Sequence, residues 1–70
     1  MDFKATHKVT ETQANGTTDT FEAMLYEGSL YTEEEWDAAV AADLTMNDAG
    51  ELKFQGQPPV NTYRVVSLAD

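Results

Sequence analysis

The sequence predicts an α+β domain, an antiparallel sheet of about four strands with one helix packed on it, in the order β-β-α-β-β. Three observations carry that expectation. Asn15-Gly16 stands between two stretches of alternating polarity, Tyr31-Thr32-Glu33-Glu34-Glu35-Trp36-Asp37 reads as a capped helix start, and alternation returns after Gly50. Seventy residues without a cysteine make one domain, residues 1–70, that neither disulfides nor thiolate metal sites can support. The apolar side chains spread from Phe3 to Leu68 therefore have to build one thin core.

In the first stretch Phe3, Ala5, His7 and Val9 alternate with Lys4, Thr6, Lys8 and Thr10, the pattern of a half-buried strand reaching Thr12. Asn15-Gly16 is the strongest short hairpin signal. From Thr18 to Tyr26 the alternation resumes, with Phe21, Ala23 and Leu25 on one side and Thr20, Glu22, Met24 and Tyr26 on the other. Glu27-Gly28-Ser29 reads as the break that ends this strand.

The helix is expected from Glu33 to about Ala42. Thr32 and Glu35 stand at the two positions of a capping box, and Tyr31 and Trp36 at those of a hydrophobic staple. Three glutamates in the first turn suit the positive end of the helix dipole. Ala38, Ala39, Ala41 and Ala42 favour helix and permit close approach to a sheet. Trp36, Ala39 and Val40 share one face, with Leu44 near its edge, and Asp43 marks the stop.

Asn47-Asp48-Ala49-Gly50 is turn chemistry. Glu51 to Gln55 alternates as a short strand with Leu52 and Phe54 together, and Gly56-Gln57-Pro58-Pro59 is a loop. In the last strand, Asn61 to Leu68, Tyr63 and Val65 oppose Thr62, Arg64, Val66 and Leu68. Apolar residues on both faces suggest a central strand or one in an interface.

Charge is the outlier. Thirteen acids face four bases, Lys4, Lys8, Lys53 and Arg64, for a net charge of −9. No Lys or Arg occurs from Val9 through Leu52, a window that holds eleven of the acids. Such a chain repels nucleic acid and anionic membrane, so neither is expected as a direct ligand. Solubility alone is the plain explanation of the acidity. No apolar run approaches the roughly 20 residues of a membrane span and no signal-peptide pattern is present, which points to a reducing cytoplasm.

Candidate chemistry is sparse. His7, the only histidine, lies in the inward register of the first strand without a nucleophile signature nearby, so it reads as a packed residue. Carboxylates are abundant but spread over loops and surface faces, and a chain of this size has little room for a substrate cleft. Asp43 to Gly50 superficially suggests a calcium loop, yet Asp48 stands where glycine is required and Phe54 where glutamate is required. No glycine-rich phosphate loop or basic aromatic patch occurs. The expectation is a non-enzyme with no cofactor and no metal.

What remains is the acidic field as a recognition surface. Acids three and four apart on a helix stand about 5–6 Å from one another, comparable with charge spacing along a nucleic-acid backbone. Glu33, Glu34 and Asp37 form such a row, and Glu27, Asp48 and Glu51 on flanking loops extend it. Tyr31, with Tyr26 or Trp36, is a candidate aromatic anchor, although Trp36 reads better as core. A rigid protein with carboxylates where phosphates would lie can occupy a basic nucleic-acid channel, and electrostatic steering speeds its binding.

In size, acidity and layout, chiefly from the Asn15-Gly16 hairpin through Trp36, the chain resembles the small phage-encoded inhibitors of host defence, particularly type I anti-CRISPR proteins. Those inhibitors share no common motif. The resemblance implies a partner class, a large basic nucleic-acid-handling complex of the CRISPR effector type, bound stoichiometrically in the cytoplasm of a bacterial host. A second expectation is a phage or bacterial interaction or structural module, monomeric or weakly homodimeric through its last strand.

Overall fold

A computed structural model describes residues 2–69. Six strands form a single antiparallel sheet, β1 (His7–Thr12), β2 (Thr18–Tyr26), β3 (Ser29–Tyr31), β4 (Leu44–Met46), β5 (Leu52–Phe54) and β6 (Thr62–Ser67). One short helix, α1 (Glu33–Ala38), lies between β3 and β4. The order across the sheet is β5-β4-β3-β2-β1-β6, and the sheet curls into a half-barrel. This overturns the expected four strands with a packed helix: 46% of the described residues are strand and 9% helix.

The missed strands, β3 and β4, are three residues each, and an unusual turn hides the first. Glu27 and Gly28 both take positive φ, 49° and 81°, so the expected strand break is a type I′ turn that pairs Tyr26 with Ser29. Gln55 and Gly56 repeat the device at φ 51° and 79°, and Phe54 exchanges both backbone bonds with Gln57 (2.8 and 3.1 Å). The other two hairpins share a different loop. In each, a first residue pairs with the fifth (Gln13 with Thr17, Asn47 with Glu51), and a glycine fourth in line bonds back to the first carbonyl. Those glycines, Gly16 and Gly50, have φ of 85° and 83°, the three-residue hairpin loop ending in a bulge. Asn15 therefore acts by accepting from the Thr17 N–H at 2.9 Å, and not as the first half of a two-residue turn.

β1 begins at His7 and not at Phe3, because the ladder is bulged just before it. The Thr6 N–H reaches the Ala23 carbonyl at 2.9 Å although Ala23 is already opposite His7. The Thr6 hydroxyl then accepts from the Leu25 N–H at 2.9 Å, replacing a backbone acceptor.

Cross-strand register puts Val65, Val9 and Phe21 in one row of the concave face. Leu25, Leu30, Leu44 and Phe54 lie in register on that face. Val9, Ala23, Leu30 and Leu44 are the buried centre, with Phe21, Leu25, Met46, Leu52, Tyr63 and Val65 packed partly around it. Met24, also buried, belongs to the opposite register, where its Sδ meets the Lys4 N–H at 3.4 Å. β6 is an edge strand, so the expectation that it is central fails. Val66 and Leu68 are 41% exposed.

The helix ends four residues earlier than expected, and its apolar stripe is not buried. The capping box is formed: Thr32 Oγ1 accepts from the Glu35 N–H (3.2 Å) and Glu35 Oε1 from the Thr32 N–H (2.9 Å). Ala39 then turns to φ 57°, and Val40 and Ala39 donate to the Glu35 and Trp36 carbonyls, a Schellman stop. Alanine propensity has no buried face to reinforce it here, since Ala38 through Ala41 are all exposed. Glu35 Oε2 accepts from the Asp43 N–H at 3.1 Å, drawing the chain back toward the sheet, and Leu44 enters β4 instead of extending a helix face.

Candidate functional site

The expected acidic row is divided by the topology. β3 is only three residues long, yet its two ends point to different parts of the surface. At its far end, past Thr32, stand Glu33, Glu34 and Asp37, all exposed on α1. A depression of about 460 Å³ there is lined by Glu33, Glu34, Glu22, Thr32, Phe3 and Phe21. Cross-strand pairing thus adds a fourth acid, Glu22 of β2, which sequence spacing could not supply.

At the near end of β3 the Glu27-Gly28 turn lies beside the Asn47–Glu51 loop, joined by the bond from the Met46 N–H to the Gly28 carbonyl at 2.8 Å. Glu27, Asp48 and Glu51 are exposed at this end. Glu51 is held by the Asn47 amide at 3.1 Å, and Lys53 shares the adjoining depression of about 570 Å³. These three acids therefore do not continue the helix row.

Tyr31 is half-buried. Its ring stands edge-on to Trp36 at 5.2 Å between centroids, the expected staple, and Tyr26 meets Trp36 the same way at 5.5 Å. The three rings brace α1 against the β2–β3 turn region, so Tyr31 works mainly as a support behind the acids.

Inside the concave face the structure assembles acids that the sequence reading left out. Glu11, Glu35 and Asp43 line a concavity of about 150 Å³ together with Phe21, Phe54 and Tyr63. Glu11 Oε2 accepts from the Tyr63 hydroxyl at 2.7 Å and from the Asn61 amide at 3.0 Å. Those two donors hold the Glu11 carboxyl below the ordinary carboxylate range. Burial, reinforced by the hydrogen bond to Glu11, pushes the Tyr63 hydroxyl up to about 12. An ionised acceptor with two donors and a phenol held neutral fasten β1 to β6; a general acid or base needs the opposite tuning. Asp43 is joined to Gln55 through its carbonyl (2.7 Å) and its carboxylate (3.3 Å), tying β4 to the loop after β5. The alternation His7, Val9, Glu11 opposite Tyr63 and Val65 was the available signal for Glu11.

Among the described residues no group of three His, Cys, Asp or Glu side chains is placed to hold a metal ion. His7 is half-buried with Nδ1 2.8 Å from the Thr6 hydroxyl. No helix of the described residues is long and apolar enough to cross a membrane. Compared with protein-family models, curated proteins and solved structures, the chain matches none.

Proposed function

We propose that this protein is a non-enzymatic binding protein that engages a basic, nucleic-acid-handling protein complex through the acidic end of α1. One observation supports the reading above others: among the described residues no carboxylate is in an ion pair with a lysine or arginine. Even Lys8 and Glu22, opposite each other on β1 and β2, form none. The field of a chain with net charge −9 is thus left open to solvent and to a cationic partner.

Of the two acidic groups, the helix end fits the role. Glu33, Glu34, Asp37 and Glu22 are exposed there, and Tyr31 and Trp36 brace the helix behind them. In the turn group Glu51 shares its depression with Lys53. Carboxylates four and three residues before Asp37, on Glu33 and Glu34, offer a basic groove the charge spacing of a phosphate backbone without a cleavable strand. The resemblance to phage-encoded anti-CRISPR inhibitors supplies the partner class, an effector whose nucleic-acid channel would be occupied.

The test is capture of the partner from a bacterial lysate by the tagged protein at low salt. The capture is repeated at about 0.5 M salt, where the Debye length is roughly 4–5 Å. A nucleic-acid-binding complex is expected at low salt, released by salt or competing DNA, and lost with the combined Glu33→Gln, Glu34→Gln, Asp37→Asn variant. Capture indifferent to salt and to those substitutions would overturn the acidic-end reading.

A further inference from the structure

The half-barrel has two edges, and they are finished differently. β5 is three residues long, and its Phe54 backbone is already closed on Gln57 through the Gln55-Gly56 turn. β6 is six residues long with no such cover. The Leu68 N–H donates to the Thr6 carbonyl at 2.9 Å, and Val66 stands opposite Lys8, Arg64 opposite Thr10. By strand alternation the backbone groups of Tyr63, Val65 and Ser67 then point away from β1, along the open edge. Among the described residues they have no hydrogen-bond partner. On the convex face of the same strand Val66 and Leu68 are each 41% exposed. Natural edges of this length are ordinarily blocked by a bulge, a proline or charged side chains, and β6 has no bulge and no proline and a single charge, Arg64.

Charge selects the occupant. From Leu52 through Ala69 the chain carries Lys53 and Arg64 and not one acid, although the whole chain is at −9. Glu27, Glu33, Glu34, Asp37, Asp48 and Glu51 all belong to the β3, α1 and β4–β5 side of the sheet. β6 is thus the one long edge at which two such chains can meet without facing acid against acid.

We propose that β6 is a self-association edge: a second copy of this chain pairs its own β6 antiparallel about a two-fold axis at Val65. Both N–H···O=C bonds are then exchanged between the two Val65 residues, and Tyr63 of each copy stands opposite Ser67 of the other. Arg64 lies beside Val66 of the second copy, its aliphatic stem covering the exposed methyls. Two six-stranded sheets become one continuous sheet, and both α1 ends remain free on its flanks. A single strand pair is smaller than the roughly 1,200–2,000 Å² of a standard interface, so association is weak and concentration-dependent.

The experiment is sedimentation equilibrium from about 10 µM to about 1 mM, with amide exchange by NMR at both ends of that range. The mass is expected to rise from 7.7 kDa toward twice that value, with at least tenfold slower exchange at Val65 and Ser67 in the concentrated sample. Two variants locate the contact. Ser67→Pro removes an outward N–H and leaves the bonds to β1 intact, and Val66→Lys sets a cation against Arg64 of the second copy and beside its own Lys8. Both are expected to remain monomeric with an unchanged circular dichroism spectrum. A 7.7 kDa species throughout, or a dimer that survives both variants, would overturn the proposal. Salt separates this edge from the acidic end of α1: screening tightens the pairing of two −9 chains but weakens capture of a cationic partner.

Discussion

Glu11 and Tyr63 face each other across β1 and β6, and the tyrosine hydroxyl donates to Glu11 Oε2 at 2.7 Å. The pair makes stability depend on pH at both extremes. The lowered carboxyl gives stabilisation that is present above its ordinary value of 4.5 and is lost as pH falls through the lowered value. The raised phenol gives stabilisation that is complete below its ordinary 10.0 and is lost as pH rises toward about 12. Acidification also relieves self-repulsion among the other carboxylates, so the comparison has to be between proteins. In thermal melts across pH, Tyr63→Phe is expected to flatten the alkaline limb and soften the acid one. Coincident profiles for the two proteins would refute the coupling.

The Thr6 hydroxyl holds the bulge at the start of β1, accepting from the Leu25 N–H at 2.9 Å and contacting His7 Nδ1 at 2.8 Å. Thr6→Val keeps the shape and removes both partners. We expect a loss of about 1–3 kcal/mol, the cost of leaving a half-buried N–H unpaired. Urea denaturation measures it, and a change below about 0.5 kcal/mol would show that water replaces the hydroxyl.

Glu27 and Gln55 occupy left-handed positions, φ 49° and 51°, that Asn tolerates better than other side chains. Each therefore carries strain that a local substitution relieves. Glu27→Asn and Gln55→Asn are each expected to stabilise by roughly 0.5 kcal/mol, a rise of about 2–4 °C in Tm for a domain this small. Calorimetry on the single and double variants checks this, with additive gains because the turns are separate. A fall in Tm for either would mean that the original side chain makes a contact outweighing its backbone strain.

These same turns show what the sequence disclosed and what it hid. The long strands were legible because they alternate: Phe21, Ala23 and Leu25 do share one face, as do Tyr63 and Val65. The capping box at Thr32 and Glu35 and the staple of Tyr31 on Trp36 were legible as local chemistry. Ser29–Tyr31 and Leu44–Met46 were not: Glu27, in the turn before the first, is unusual at positive φ, and the start of the second, Leu44, reads by spacing as the edge of the helix face. The helix length misled because alanine propensity is a local quantity, whereas its end is set by Glu35 reaching Asp43, eight residues away. Of the candidate site, Glu33, Glu34 and Asp37 were accessible from helical spacing. Glu22 and the Glu11–Tyr63–Asn61 cluster depend on strand pairing, which one sequence does not encode locally.

The open acidic field also predicts how the fold responds to its own charges. No carboxylate among the described residues is paired with a base, so removing negative charge at exposed sites eliminates repulsion without breaking a contact. Against this, Glu33 and Glu34 in the first turn of α1 each gain up to about 0.3–1 kcal/mol from the helix terminus. Asp37 lies beyond that turn and has only the repulsive side. Asp37→Asn is therefore expected to raise Tm by a few degrees at roughly 0.01 M salt, where the Debye length is about 30 Å, and to change nothing near 1 M. Glu35→Gln differs in kind, because both Glu35 oxygens accept backbone N–H groups, from Thr32 and Asp43. Its amide keeps only one acceptor, and a loss of about 1 kcal/mol at either salt concentration is expected. Thermal melts of the two variants at both salt concentrations measure the contrast. Equal salt dependence would mean that Glu35 acts through its charge alone and does not hold the early end of the helix.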